Sequence, residues 1–131
     1  MTPEPDLPPL TDVQMESLRR YALLEIGVED LRRSLAGVFE ITFEAKEEAG
    51  GNIIQRRTAH NHFPIPEPGI VITREHISNA LERRRFGLVS ERDLVHWATI
   101  LLLNDAYVFD SGDEDLISDW LNDISLNLDA S

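Results

Sequence analysis

The sequence contains no cysteine in its 131 residues, and this absence excludes several kinds of chemistry at once. Disulfide frameworks, thiolate metal sites and cysteine nucleophiles are all ruled out. A reducing cytoplasm is compatible with such a composition. With 42% hydrophobic and 27% charged residues, a chain of this length is expected to bury a core of its own without cross-links.

Long apolar runs are also missing from the sequence. The longest, Ala98 to Leu103, is interrupted by Thr99 and is far shorter than the roughly 18 residues that span a bilayer. The first six residues are acidic and rich in proline, which is opposite to the basic start of a secretion signal. We therefore expect a cytoplasmic protein that does not enter a membrane.

Lysine and arginine are absent from residues 104–131, although this segment carries eight carboxylate side chains. The segment therefore accounts for −8 of the formal net charge of −12. A field of this sign repels nucleic-acid phosphates and attracts basic partners. Solubility alone is an alternative explanation, because negative surfaces are common among cytoplasmic proteins.

The hydrophobic pattern predicts about five short helices, packed against one another as helical hairpins. Each helix carries apolar side chains three and four positions apart. Gly27, Gly37 and Gly87 are predicted to end the first three helices. The predicted helices start at Thr11, Val28, Thr73, Ser90 and either Ser111 or Asp113. Thr11 with Gln14 makes a capping-box pattern, and Ser90 is predicted to cap its helix with support from Asp93 at the third helical position.

One stretch of the chain has a different period. Phe39, Ile41 and Phe43 alternate with polar residues, which predicts a strand with one buried face. A glycine-containing turn and a return strand complete an antiparallel hairpin at about residues 38–59. Ile70–Ile72 is a candidate for a further, brief strand. The predicted fold class is therefore mainly α with one small β-hairpin, an α+β arrangement.

Two clusters of proline divide the chain. Residues 1–10 contain four prolines and are expected to form a flexible arm ahead of a single globular domain at residues 11–131. Three further prolines within residues 60–69 predict a connector, because proline and the residue before it disfavour helix. The connector leaves residues 11–59 and 70–131 as possible sub-units of the domain.

Two segments are similar when they are aligned with an offset of 63 residues. Both are predicted as a helix, a tight turn and a second helix. Duplication and a chance likeness between two ordinary helical hairpins both remain open as explanations. The matching pairs are Leu18 with Leu81, Arg20 with Arg83, Asp30 with Asp93, and Leu31 with Leu94.

A helix–turn–helix pattern invites a DNA-binding interpretation, since such a unit can place its second helix in the major groove. The basic cluster Arg83, Arg84 and Arg85 favours that interpretation. Against it, both second helices begin with carboxylates, at Glu29 and Glu91, and the whole chain is strongly acidic. Direct nucleic-acid binding is therefore not the favoured prediction.

Residues suited to metal binding or catalysis are sparse. His60 and His62 supply two potential metal ligands, but their spacing matches no specific zinc pattern, so metal binding there remains open. Residues 110–115 resemble a calcium loop only in composition, because the glycine is misplaced. We find no phosphate-binding loop, no nucleophile elbow and no obvious catalytic pair, although His96 is a conceivable acid–base residue. We predict no enzymatic activity, no cofactor and no metal site.

The final predicted helix carries an acidic row. Asp115, Asp119 and Asp123 are four residues apart and therefore share one side of the helix. Like charges at this spacing repel by about 0.2–0.5 kcal/mol per pair, and no basic residue within the helix relieves them. Such a row is expected to be compensated by a basic partner. The apolar seam predicted to be buried opposite this row consists of Leu116, Trp120 and Ile124.

The turn Gly87–Ser90, the pair Asp93–Leu94, Trp97 and the acidic last helix together resemble a known family. Residues Thr73 to Ile124 are similar to small helical bacterial immunity or antitoxin-type proteins, in particular of the colicin D immunity style. In that family, acidic residues occupy the basic active site of a nuclease toxin and block its substrate. The resemblance implies this role for Asp113, Asp115, Asp119 and Asp123.

Three functions follow as hypotheses. The leading one is an inhibitory protein that engages a basic partner through the acidic C-terminal helix. Arg83, Arg84 and Arg85 form a secondary basic patch that orients the partner or makes a self-contact. The alternatives are a structural subunit of a larger complex or homo-oligomer, and a helix-turn-helix DNA-binding regulator. The sequence leaves the partner and the oligomeric state open.

Overall fold

The computed structural model describes residues 7–47, 50–51 and 53–126. These residues form five helices and four strands, which confirms the predicted class of a mainly α fold with a small β-hairpin. The first six residues of the predicted N-terminal arm lie outside the described residues. The elements are α1 (Asp12–Ala22), α2 (Val28–Ser34), β1 (Phe39–Glu47), β2 (Ile53–Asn61), β3 (Ile70–Ile72), α3 (Arg74–Arg85), α4 (Glu91–Leu103), β4 (Tyr107–Phe109) and α5 (Glu114–Ser125).

The two helix–turn–helix units, α1–α2 and α3–α4, have the same turn geometry. In the first turn, the N–H of Glu25 donates to the carbonyl of Arg20 over 2.9 Å, and Leu24 between them has a φ of 57°. At an offset of 63 residues, Gly87 takes the place of Leu24 with a φ of 73°, and the equivalent hydrogen bond spans 2.8 Å. Both helices therefore end in a Schellman turn, as a left-handed residue after the C-cap allows.

The position of Gly27 corrects one prediction. This glycine does not end the first helix, because the left-handed Leu24 has already ended it, and Gly27 is instead the N-cap of α2. The equivalent residue in the second unit, Ser90, makes the capping box predicted for it. Its hydroxyl accepts from the Asp93 N–H over 3.0 Å, and the Asp93 carboxylate accepts from the Ser90 N–H over 3.2 Å. The predicted box at Thr11 is also present.

Two buried aromatic side chains hold the C-terminal end of α1. The indole N–H of Trp97 donates to the carbonyl of Ala22 over 3.1 Å, and the hydroxyl of Tyr107 donates to the carbonyl of Leu18 over 2.6 Å. The carbonyl of Ala22 is in the last turn, where carbonyls lack partners within the helix and need outside donors when that end is buried. The carbonyl of Leu18 accepts the Tyr107 hydroxyl in addition to its partner within the helix. α4 and β4 thereby fix α1 in the core.

The hairpin pairs β1 with β2 in antiparallel register, from Phe39 opposite Asn61 to Glu47 opposite Ile53. Its alternation is as predicted, with Phe39 and Ile41 buried on the inner face. β2 continues to Asn61, so the connector predicted at residues 60–69 begins later than expected. The reason is that His60 and Asn61 still pair with β1.

A short parallel pair joins distant parts of the chain. The predicted strand β3 pairs with β4, a strand that the sequence pattern does not predict, and Val71 is opposite Val108. The approach is close at Gly69, where a Cβ atom would lie 3.1 Å from the carbonyl oxygen of Ala106. A glycine at this position therefore allows the connector to run directly into the sheet.

One hydrophobic core draws on both sides of the connector. It contains Leu18 and Leu31 from the N-terminal half together with Ile72 and Trp97 from the C-terminal half. On α3, however, Leu81 is 48% exposed, although its spacing predicted burial. Among the helices of the described residues, none combines the length and the apolarity that crossing a membrane requires.

His96 links the hairpin to α4. Its ring stacks on Phe43 with 4.1 Å between ring centroids. Burial, followed by the positive charges of Arg92, Arg32 and Arg57, holds the pKa of His96 below its ordinary value of 6.5, against an opposing effect of Asp93. The folded state therefore favours the neutral imidazole.

This lowered pKa predicts a loss of stability on acidification. Between the unfolded value near 6.5 and the lower folded value, the unfolded chain binds more protons, so the free energy of unfolding falls as the pH drops through this window. His96→Phe keeps a ring against Phe43 and removes the titration. Urea unfolding at several pH values is expected to show a wild-type stability that falls relative to the variant below about pH 6.5. A difference that is independent of pH would contradict this account of His96.

Candidate functional site

The candidate site is the C-terminal helix α5, which packs on α4. Its buried column consists of Ile117, Leu121 and Ser125. The seam predicted from the sequence is therefore displaced by one position, since Leu116 is 36% exposed and Trp120 is only partly buried. The apolar side chains of α5 form two adjacent columns, Leu116–Trp120–Ile124 and Ile117–Leu121. The contact with α4 centres on the second column.

The aspartate ridge, defined as Asp115, Asp119 and Asp123, lies on the outer side of α5. At 3.6 residues per turn, each aspartate is rotated by about 200° from the buried residue two positions later or earlier. All three side chains are exposed, and within the described residues none of them forms an ion pair. The structure thus brings the three predicted residues together on one solvent-facing side.

Asp113, the fourth predicted binding residue, is placed differently. Its carboxylate accepts from the guanidinium of Arg74 over 2.6 Å, and its side chain is only 20% exposed. The hydrogen bond from Arg74 holds the pKa of Asp113 below its ordinary value. Although Asp113 is at the N-cap of α5, its side chain does not cap the helix. It joins α5 to the start of α3, so its charge is already neutralised within the fold.

The opposite end of α5 is held by the hairpin. The guanidinium of Arg57 on β2 donates to the carbonyl of Ser125, in the last turn of the helix. A cation at a helix C-terminus complements the negative end of the helix dipole and satisfies a carbonyl that lacks a helical partner. With Arg74 at its start and Arg57 at its end, α5 is fastened by arginines at both termini. The ridge between them is presented on a fixed helix.

The predicted basic patch is divided among different surroundings. Arg84 donates to Glu91 over 3.0 Å, which links α3 to α4. Arg85 lies over the ring of Phe86 at 6.0 Å from its centroid. Arg83 is partly buried, and its Nε has no hydrogen-bond partner among the described residues. The three arginines therefore do not present one continuous cationic surface.

The two candidate metal-ligating histidines lie side by side. His60 and His62 are exposed, and their rings are stacked with 6.1 Å between centroids. In the part of the chain that the structure describes, no group of three or more His, Cys, Asp or Glu side chains is placed to hold a metal ion. His96, the conceivable acid–base residue, is instead engaged with Phe43.

The sequence reasoning missed the arginine contacts that fix α5. Arg74 and Arg57 lie far from α5 in the sequence, so no local pattern indicates their pairing with it. One weak signal existed for Arg74, which begins a helix soon after β3 and thus lies near whatever pairs with that strand. The function of the ridge has to be argued from its geometry, because the resemblance to immunity proteins covers residues 73–124 alone and remains a prediction. Comparison with protein-family models, with curated proteins and with solved structures finds no match to this chain.

Proposed function

We propose that this protein binds a basic protein partner through the aspartate ridge of α5 and thereby inhibits it. The observation that carries the proposal is the set of three exposed carboxylates on one side of a helix, without an ion pair among the described residues. Exposed charges of this kind raise the rate of association with an oppositely charged surface and exclude partners of the wrong charge.

The electrostatic repulsion among the ridge aspartates, which the protein bears when no partner is bound, supports the proposal. Two neighbouring pairs, Asp115–Asp119 and Asp119–Asp123, each repel by about 0.2–0.5 kcal/mol. α5 remains helical because two of its own side chains, Ile117 and Leu121, are fully buried against the rest of the fold. The helix thus holds the carboxylates in a fixed array, which reduces the entropy lost when a partner binds.

Co-purification from the source organism tests the proposal. The ridge variant carries Asp115→Asn, Asp119→Asn and Asp123→Asn, which keep side-chain shape and remove three charges. A basic protein recovered with the wild type is expected to be lost with this variant, and to be released from the wild type as salt is raised. If the ridge variant retains the same protein in full, the proposal is wrong.

A matched control separates the ridge from net charge. Glu40, Glu67 and Glu82 are exposed, lie on other parts of the fold and make no ion pair among the described residues. Changing these three to glutamine alters net charge by the same amount. The partner is expected to be recovered with this glutamine variant as it is with the wild type. Equal losses in both variants would indicate attraction by bulk charge rather than by the ridge.

A structural or assembly subunit is the second candidate, and one observation favours it. Phe86 and Leu88, in the turn between α3 and α4, are 66% and 68% exposed, with Arg85 beside them. Aromatic side chains and arginine are enriched at protein interfaces. Light scattering at two salt concentrations tests whether the protein self-associates through these side chains. Apolar self-association is expected to persist at high salt in the wild type and to be lost in the Phe86→Ser variant.

The DNA-binding alternative receives the least support. α4, the second helix of the second unit, is buried at six positions, including Trp97 and Leu101, and so has little free surface for a groove. α2 is a seven-residue helix whose Arg32 and Arg33 pair with Glu29 and Asp30. Together the two helices offer a single basic side chain without an ion pair among the described residues, Arg92 on α4, whereas a DNA-binding helix presents several to phosphates and bases.

A further inference from the structure

A small open cavity lies where the two Schellman turns face each other. Its volume is about 220 Å³. This exceeds the roughly 150 Å³ that holds a benzene ring, but is below the roughly 300–1,000 Å³ of pockets for drug-sized ligands. The cavity is therefore sized for one side chain. Both turns contribute to its lining, which includes Tyr21, Leu24, Glu25, Leu88 and Asp93.

The lining combines aliphatic walls with negative charge. Among the described residues, the charged members of the lining are Glu25 and Asp93. Glu25 lies 3.7 Å from Arg20, and both side chains are about half exposed. One Asp93 oxygen accepts the Ser90 N–H, and its other oxygen has no hydrogen-bond donor among the described residues. The cavity therefore offers a carboxylate oxygen beside apolar surface.

Tyr21 provides an independent observation at the same place. It is 1% exposed and lines the cavity, yet its hydroxyl makes no hydrogen bond within the part of the chain that the structure describes. The other deeply buried aromatic polar groups, on Trp97 and Tyr107, both have acceptors. The hydroxyl oxygen is not among the fully enclosed, unpaired polar atoms of the described residues, so it is reached from the cavity, where a ligand can pair with it. Burial, and then the charge of Asp93, raise the pKa of Tyr21, so this hydroxyl keeps its proton.

We propose that this cavity accepts one arginine side chain of the basic partner. The methylene stem lies against Leu24 and Leu88, as long basic side chains bury their stems along apolar surface. The guanidinium meets the free oxygen of Asp93 and the hydroxyl of Tyr21. Arginine fits better than lysine, because its planar group presents several donors to two separate acceptors. The identity of the occupant rests on the proposed function, whereas the cavity and its chemistry do not.

Titration with N-acetyl-arginine amide, followed by NMR of the ¹⁵N-labelled protein, tests the inference. The probe carries one guanidinium and no backbone charge. We expect saturable shifts at the amides of residues 24–28 and 88–93, and none with the uncharged analogue N-acetyl-citrulline amide. Asp93→Asn, which keeps an oxygen for the Ser90 cap, is expected to weaken binding roughly tenfold. Tyr21→Phe, which removes only the hydroxyl, is expected to weaken it less.

The two proposals fail separately in this experiment. The ridge variant, with three asparagines on α5, is expected to bind the probe as the wild type does. Absence of shifts, equal shifts with the citrulline analogue, or unchanged affinity in both Asp93→Asn and Tyr21→Phe would overturn the arginine cavity. None of these results would affect binding through the ridge, which the co-purification measures independently.

Discussion

Replacing Trp97 with alanine is expected to lower the free energy of unfolding by about 3–5 kcal/mol. The indole is fully buried in the centre of the core, so its removal leaves a large cavity. It also removes the donor that satisfies the carbonyl of Ala22 at the end of α1. Both effects act on the junction between the two helix–turn–helix units, and the loss is expected in urea unfolding followed by far-UV circular dichroism.

The second tryptophan serves as the control for this prediction. Trp120 is only partly buried and packs against the core from α5. Trp120→Ala is therefore expected to cost clearly less than Trp97→Ala. Trp97→Phe keeps most of the buried ring and removes the hydrogen bond, so it remains measurable if the alanine variant does not fold. Equal costs at the two tryptophans would mean that the core is not centred on Trp97.

Leu121→Ala is expected to destabilise the protein by about 2–5 kcal/mol. Leu121 lies on the inner side of α5, where it is fully buried in the column that faces α4. Because the aspartate ridge depends on the docking of this helix, the variant is also expected to weaken partner binding. Thermal unfolding and recovery of the partner measure the two effects in parallel.

Leu116 provides a comparison with the same change of residue. Its side chain is 36% exposed, although the sequence pattern predicted its burial. Leu116→Ala is expected to cost clearly less than Leu121→Ala, about 1–2 kcal/mol, since roughly a third of the Leu116 side chain already faces water. A larger cost for Leu116→Ala than for Leu121→Ala would show that the predicted seam, and not the observed column, holds α5.

Local chemistry made much of the fold predictable. The capping boxes at Thr11 and Ser90 depend on residues three positions apart, and both were recognised from the sequence. The alternation of Phe39, Ile41 and Phe43 likewise reports burial on one face of a strand. The left-handed ending at Leu24 was missed, because a leucine rarely takes that conformation and Gly27 was the more obvious stop.

Contacts between distant residues were not predictable in this way. β4 has only three residues, and its partner β3 is separated from it in the sequence by the two helices α3 and α4. The pairing of Asp113 with Arg74 is of the same kind, and it removes one of the four predicted binding residues from the free acidic surface. The cavity between the turns arises only when both helix–turn–helix units are packed together.

The ridge itself follows from helical geometry once α5 is a helix. Spacing of four residues places Asp115, Asp119 and Asp123 on one side, and amphipathicity requires that side to face water. Which apolar column faces α4 depends on packing, and the sequence pattern misplaced it by one residue. The predicted position of the ridge survived this error, because the observed column is rotated by about 200° from the aspartates, whereas the predicted column is rotated by only about 100°.

The affinity of Asp119→Lys for the partner recovered with the wild type tests the central claim most directly. This change converts two repulsive pairs on α5 into attractive ones, so the free protein is expected to be as stable as the wild type or about 1 kcal/mol more stable. A loss of affinity then cannot result from unfolding. Titration calorimetry is expected to show binding weakened by roughly tenfold or more, because a cation now faces the basic surface. Unchanged affinity in a folded Asp119→Lys variant would contradict binding through the ridge.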